Sequence, residues 1–387
     1  MERRKFLMTG AAWAAAPFLG SLAAASPAAE AAAPFFARAY GASGPKEPLR
    51  PMRIQRRAIG PHDVLLDVLY CGVCHSDIHT ARNEWVPMMP TQYPSVPGHE
   101  IVGRVREVGS AVTKFKAGDI GGVGCMVNSC GACENCEADR EQNCLKGATF
   151  TYNSPDPVLG GFTYGGYSDK MVVPEHFVIR IPPGMDLAAA APLLCAGITT
   201  FSPMQHWKLA AGQKVGVIGL GGLGHMAVKL AAARKADVTV FTTTPGKIAD
   251  AARLGAREAV LSTDAEAMKR HARKFDLLIA AVPQAFPMQP FLSLLKLDAT
   301  LVNVGAMDAL QGLVGMELAF GRASVAGSVI GGIAETQRVV DYCAARNIKA
   351  DVELIPIQDI NRAYDRVVAK DVRYRFVIDM ASLRKDA

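Results

Sequence analysis

From Lys214 onward the chain alternates short apolar runs with helix-like spacing, and its first run, Val215-Gly216-Val217-Ile218, opens directly into Gly219-Leu220-Gly221-Gly222-Leu223-Gly224. Helical spacing through Met226, Leu230 and Ala233 follows. Then come apolar residues 238–241, a helical stretch near 247–254 and strand-like runs near 259–261, 277–282 and 300–304. Strands that alternate with helices pair in parallel, because each crossover is right-handed and lays its helix back on the sheet. The repeat therefore specifies an α/β architecture with a doubly wound parallel sheet. Glycines between the first strand and the first helix allow a tight turn and let a pyrophosphate approach the backbone at the positive end of the helix. That context marks Gly219, Gly221, Gly222, Leu223 and Gly224 as dinucleotide contacts.

The second strand bears on which dinucleotide. Enzymes that use NAD usually place Asp or Glu about 20 residues past the glycines to hold the ribose hydroxyls. Here the strand runs out through Phe241-Thr242-Thr243-Thr244-Pro245-Gly246-Lys247, with no carboxylate. Hydroxyls and a lysine suit a 2′-phosphate that a carboxylate would repel. The sequence predicts NADP(H), with Thr242, Thr243 and Lys247 as phosphate contacts.

The 387 residues exceed the roughly 250–300 at which a single core stops growing, so two domains are expected. Residues 49–182 read as short strands and Gly/Pro turns, against the strand–helix alternation of 187–332. The helix, strand, helix and strand after 332 lack a core of their own and are assigned back to the N-terminal domain. The expected division is 37–187 with 333–387, and 188–332 as the nucleotide-binding domain. The net charge is +6 without a dense basic patch, so no nucleic-acid partner is expected.

Residues 1–31 read as an address rather than as fold. Arg3 and Arg4 precede Lys5-Phe6-Leu7, an alanine-rich apolar stretch covers residues 10–25, and small-residue cleavage patterns follow. This resembles a bacterial twin-arginine signal, which implies export of a folded protein by the twin-arginine machinery to the periplasm. The other reading is an uncleaved tail on a cytoplasmic protein. The stretch is short for the ~20 residues of a membrane span, and no membrane partner is expected for the mature form.

Nine cysteines are present. Cys130, Cys133, Cys136 and Cys144 follow a Cys-x2-Cys-x2-Cys-x7-Cys pattern. Such spacing lets four thiolates converge on one tetrahedral zinc with no open position, a structural site. Paired disulfides are the alternative, but three cysteines this close make poor disulfide geometry. Cys74, His99 and Cys195 obey no spacing rule and stand as candidates only. Two thiolates and an imidazole would leave a fourth position for substrate oxygen.

Taken together, residues 71–79, 97–109, 130–144, 195–199 and 219–224 resemble the zinc-containing medium-chain alcohol dehydrogenases. Cys-His-Ser-Asp, Gly-His-Glu, Gly-Cys-Met-Val, Cys-Ala-Gly-Ile-Thr and the closing Asp-Val-Arg-Tyr-Arg-Phe-Val are similar to the cinnamyl-alcohol-dehydrogenase-like, NADP-linked aldehyde reductases. The resemblance spans roughly residues 37–380; the export-like N-terminus departs from it. It implies a GroES-like, mostly-β catalytic domain beside a Rossmann domain, two zinc ions per chain, a homodimer, and reversible hydride transfer between NADP(H) and an alcohol/aldehyde pair. It makes Cys74, His99 and Cys195 the catalytic zinc ligands, with Glu100 adjacent or a transient fourth ligand and Asp77 orienting His99. Ser76 and His79 become a proton relay. Thr199 touches the nicotinamide end, Val304 and Gly305 flank the ring, and Arg375 reaches the pyrophosphate. Cys71, Cys125 and Cys343 match no ligand position and are read as packing.

Three rivals remain. A zinc-free quinone-reductase-like member of the fold would lack both cysteine sets. A non-catalytic zinc- or NADP-binding protein would not need Ser76 and His79. A polyol dehydrogenase of the same fold usually lacks the four-cysteine lobe. Trp85, Met88 and Met89 either line an apolar pocket or are ordinary core or surface residues. An apolar lining would favour aromatic or medium-length aliphatic aldehydes.

Overall fold

The computed structural model describes residues 33–310 and 312–386; the signal-like segment 1–31 lies outside the described residues. The expected parallel sheet is present. Its strand order is Glu258–Leu261, Asp237–Thr242, Lys214–Ile218, Phe275–Ala280, Leu295–Asn303 and Ser324–Gly327. All five pairings are parallel. The order reverses between Lys214–Ile218 and Phe275–Ala280, and at such a switch point the loops leave a crevice beyond the strand ends. Gly219 opens that crevice with φ +89°, in the left-handed region that glycine alone enters without strain. The sixth strand, Ser324–Gly327, was not expected: it is a short edge strand with no fully buried residue to mark it.

The second sheet has seven strands. Val352–Pro356, Arg375–Asp379, Asp63–Gly72, Ile101–Val108, Ile120–Val123 and Ile179–Arg180 lie in that order, and Lys170–Pro174 also pairs with Asp63–Gly72. Arg375–Asp379 runs antiparallel to Asp63–Gly72. The C-terminal segment thus returns to the N-terminal sheet, as its missing core required. Asp63–Gly72 supplies Val64, Leu66, Val68 and Cys71 to the packed interior, while Phe376 and Ile378 enter the same cluster from the C-terminus. Full burial of each large aliphatic or aromatic side chain contributes about 1.5–3 kcal/mol.

One core joins these segments. Val215, Val217, Leu277 and Ile279 from the parallel sheet pack in a single cluster with Ile179, Leu194, Ile198, Tyr374 and Val377. Among the described residues no single helix is long and apolar enough to cross a membrane.

Candidate active site and zinc lobe

The short helix His75–Ala81 begins where the strand Asp63–Gly72 ends, with Cys74 as its N-cap in extended conformation. Asp77, at the third helical position, accepts from the backbone N–H of Cys74 at 2.8 Å. Its buried carboxylate also accepts from Gly98 N–H at 3.1 Å and from the Tyr167 hydroxyl at 3.1 Å. The remaining approach is to His99 Nδ1, at 3.2 Å. A carboxylate there holds the imidazole with a proton on Nδ1 and frees Nε2 for a metal.

The ligand atoms of Cys74, His99, Glu100 and Cys195 all lie within 4.8 Å of one another, and all four residues are buried. Cys195 reaches this point from the N-cap of the helix Ala196–His206. The Cys74 thiol is pulled well below its ordinary pKa, first by a hydrogen bond from Cys195 and, against the cost of burial, by Arg375 and His99. A sulfur held as thiolate beside an imidazole and a second sulfur is a donor set that suits zinc. Glu100 adds a buried carboxylate paired with Arg375.

The lobe of Cys130, Cys133, Cys136 and Cys144 forms the other group. Cys133 and Cys136 sulfurs are 3.5 Å apart, and Cys130 and Cys136 sulfurs 3.9 Å. Zinc–sulfur bonds of about 2.3 Å in a tetrahedron require sulfur–sulfur edges of roughly 3.8 Å; a disulfide requires about 2.05 Å. Backbone N–H groups of Leu145 and Cys130 donate to Cys133 and Cys144 at 3.4 Å each. The Leu145 N–H, followed by that of Cys136, pulls the Cys133 thiol down to about 6. The lobe fits a closed zinc site.

The relay residues are placed but not in direct contact. Ser76 is half-buried near the phenol of Tyr152. His79 Nδ1 stands 2.7 Å from Glu84 Oε2, while its Nε2 is buried without a hydrogen-bond partner. Trp85 stacks on His79 with ring centroids 5.2 Å apart. Met88 and Met89 are 65% and 41% exposed.

At the crevice, a Cβ on Gly224 would stand 2.0 Å from the Gly219 carbonyl, and one on Gly305 would stand 2.3 Å from the Val282 carbonyl. Both glycines permit close backbone packing. Val304 is buried beside Gly305, and the hydroxyl of Thr199 is buried without a partner. Arg375, expected at the pyrophosphate, spans two features. Its Nη2 pairs with Glu100, and a Cβ on Gly222 would come 2.6 Å from its Nη1. Lys247 is buried and its ammonium donates to the Leu220 carbonyl at 2.8 Å. Thr242 is buried, and its hydroxyl accepts from Thr244 N–H at 3.1 Å, while Thr243 is exposed. A buried ammonium whose only hydrogen bond is to a neutral carbonyl, the unpartnered Thr199 hydroxyl and a glycine cradle together fit NADP.

Sequence reasoning missed Tyr152, Tyr167 and Glu84. Cys125, read as packing, lies against the site: its thiol faces the Leu194 carbonyl at 3.9 Å and interacts with Cys195. The motif Gly-Cys-Met-Val gives no chemical sign of that.

Comparison with known proteins agrees with this geometry. Residues 60–183 match the alcohol dehydrogenase GroES-like domain, and residues 222–345 match the zinc-binding dehydrogenase family. The chain is 51% identical over 348 residues to NADP-dependent alcohol dehydrogenase C 1 of Mycolicibacterium smegmatis, covering 89% of this chain and 98% of that protein. It is 50% identical over 348 residues to aldehyde reductase YahK of Escherichia coli, with 89% and 99% covered. It is 51% identical over 340 residues to a mannitol dehydrogenase of Petroselinum crispum, with 87% and 99% covered. Among solved structures, a cinnamyl alcohol dehydrogenase of Sorghum bicolor superposes with TM-score 0.87 at 43% identity, covering 90% of this chain and 98% of that one. The Helicobacter pylori enzyme complexed with NADP(H) gives 0.84 at 40% identity, with 90% and 99% covered. The chain belongs to the zinc-containing medium-chain alcohol dehydrogenases, in the cinnamyl-alcohol-dehydrogenase-like subgroup.

Proposed function

We propose that the protein interconverts a primary alcohol and its aldehyde with NADP(H), using a zinc ion on Cys74, His99 and Cys195 and a second, structural zinc on the four-cysteine lobe. The observation that carries this reading is the convergence of two sulfurs, an imidazole and a carboxylate in one buried cluster. When bound, zinc supplies Lewis acidity at the reacting oxygen and the nicotinamide gives or takes the hydride. Asp77 fixes the His99 ring. The Ser76 hydroxyl accepts the alcohol proton and gives up its own, while His79, which Ser76 does not touch, is the exit: its free Nε2 accepts a proton and its Nδ1 releases one to Glu84, which is 45% exposed. Thr199, Val304 and Gly305 orient the nicotinamide end, the Gly219–Gly224 turn and Arg375 hold the pyrophosphate, and Thr242, Thr243 and Lys247 hold the 2′-phosphate.

Trp85, stacked on His79, supports an aromatic or medium-length aliphatic aldehyde as substrate. The likeness to a mannitol dehydrogenase keeps a polyol as the second reading. A panel of aromatic, aliphatic and sugar aldehydes, with NADPH and NADH on zinc-replete protein, separates them. Highest kcat/KM for a sugar would overturn the first, and no turnover at all would leave a binding protein.

The segment 1–31 supports twin-arginine export and a periplasmic mature protein; fractionation of cells expressing the full chain tests it, and retention of an Arg3→Lys, Arg4→Lys variant is expected. The mature protein divides as 37–187 with 333–387, and 188–332. The edge strand Ser324–Gly327 and the helix Gly315–Gly321, where Met316 and Phe320 are 69% and 77% exposed, support a homodimer through the nucleotide-binding domain. Light scattering tests it, and a monomer at micromolar concentration would refute it.

A further inference from the structure

The anion site at the end of the strand Asp237–Thr242 is incomplete if only its own neighbours in sequence are counted. A 2′-phosphate carries close to two negative charges, and Lys247 offers one positive charge. Among the described residues no carboxylate forms an ion pair with Lys247, and the one hydrogen bond of its ammonium goes to the Leu220 carbonyl. Beside it stands the phenol ring of Tyr374, whose centroid is 5.9 Å from Lys247 Nζ. The guanidinium carbon of Arg373 is also 5.9 Å from that centroid. The two cations therefore flank one ring, although 126 positions separate them in the chain.

Arg373 is held by only part of its guanidinium. Its Nε donates to Asp250 Oδ2 at 2.7 Å, and Tyr374 Oη donates to the same oxygen at 2.8 Å. Asp250 lies in the first turn of the helix Ile248–Leu254, just past Lys247. Its carboxylate would repel a phosphate if left bare; here two donors cover it. The two terminal nitrogens of Arg373 make no hydrogen bond among the described residues, and the side chain is 42% exposed. Burial lowers the pKa of Lys247, and the positive charges of Arg373 and Lys370 add to that lowering. Lys247, Arg373 and Lys370 outnumber the single carboxylate beside them, Asp250, which two donors already cover, and a further anion would relieve the excess positive charge.

We propose that Arg373, with Lys370 behind it, completes the site begun by Thr242, Thr243 and Lys247 and reads the 2′-phosphate of NADP. This rests on the NADP reading above. The C-terminal segment then touches the cofactor at both ends of one tripeptide: Arg373 at the 2′-phosphate, Arg375 at the pyrophosphate turn.

Calorimetric titration of the zinc-loaded protein with 2′,5′-ADP and with 5′-AMP tests it without catalysis. The unsubstituted protein should prefer 2′,5′-ADP. Arg373→Gln should weaken 2′,5′-ADP about tenfold, the size of one charge-assisted hydrogen bond, and leave 5′-AMP within twofold. Arg373→Lys should recover part of the loss, and the exposed Lys370→Ala should weaken 2′,5′-ADP about threefold. If the unsubstituted protein shows no preference, the NADP reading fails and this inference with it. If it prefers 2′,5′-ADP but Arg373→Gln and Lys370→Ala leave that preference intact, or lower both ligands equally, this inference alone fails.

Discussion

Asp77 Oδ1 stands 3.2 Å from His99 Nδ1, inside a pocket where the same carboxylate accepts from two backbone N–H groups and the Tyr167 hydroxyl. One side chain thereby ties the turn carrying Cys74 to the turn carrying His99. Asp77→Asn keeps the shape but offers an amide that can present a donor to Nδ1 and so favour the wrong tautomer. Loss of such a partner typically costs about 10–100-fold in metal affinity. Competition with a chelator, read as zinc per chain, should show that one ion leaves early while the other stays.

Ser76→Ala removes a hydroxyl and touches no zinc ligand. General acid–base groups contribute about 10²–10⁴-fold, so kcat should fall by at least about tenfold with zinc content unchanged. Steady-state rates on protein of measured metal content check this, and full activity would remove Ser76 from the mechanism.

The four-cysteine lobe braces a distant helix. Glu141, between Cys136 and Cys144, is buried and accepts from the Ile333 N–H at 3.0 Å, at the start of the helix Ile333–Arg346. A Cβ on Gly332 would stand 1.9 Å from the Asp139 carbonyl, so this docking is tight. Structural zinc contributes about 10–16 kcal/mol of apparent binding energy. Cys136→Ser should therefore speed hydrogen exchange at Ile333 and lower the melting temperature, while zinc at the Cys74 cluster remains.

His225 gives a pH signature. Its Nδ1 donates to the Gly222 carbonyl at 2.7 Å, its Nε2 accepts from Asp351 N–H at 3.3 Å, and its ring stacks on Tyr374. Burial, reinforced by Lys229, pushes its pKa down to about 4. A histidine depressed in the folded state stays neutral there while the unfolded chain protonates below about pH 6.5. Its contribution is complete above that pH and is lost as pH falls toward 4, amounting to roughly 2–4 kcal/mol. His225→Asn, which keeps a donor for Gly222, should flatten the fall of the melting temperature between pH 6.5 and 4.5; an unchanged slope would contradict this.

What the sequence revealed follows from the range of each interaction. The four-cysteine lobe is legible because its ligands are near neighbours, and the parallel sheet because its period is local. Cys74, His99 and Cys195 come from three separate elements, so only resemblance assembled them. Tyr167 meets Asp77 across 90 positions, and Arg373 meets Asp250 across 123. A tyrosine in a loop or an arginine near a terminus gives no local sign of such partners. Arg375 was expected at one end of the cofactor, but burial against Glu100 could be seen only once Arg375–Asp379 had joined Asp63–Gly72.

The central claim is that Cys74, His99 and Cys195 hold a zinc ion that does the chemistry. Elemental analysis of the purified protein and of Cys195→Ala, each paired with aldehyde reduction by NADPH, tests it most directly. The account predicts two zinc ions per chain in the first, one for each cluster, and one zinc with no turnover in the variant. An active Cys195→Ala protein, or an active parent holding zinc only in the four-cysteine lobe, would contradict it.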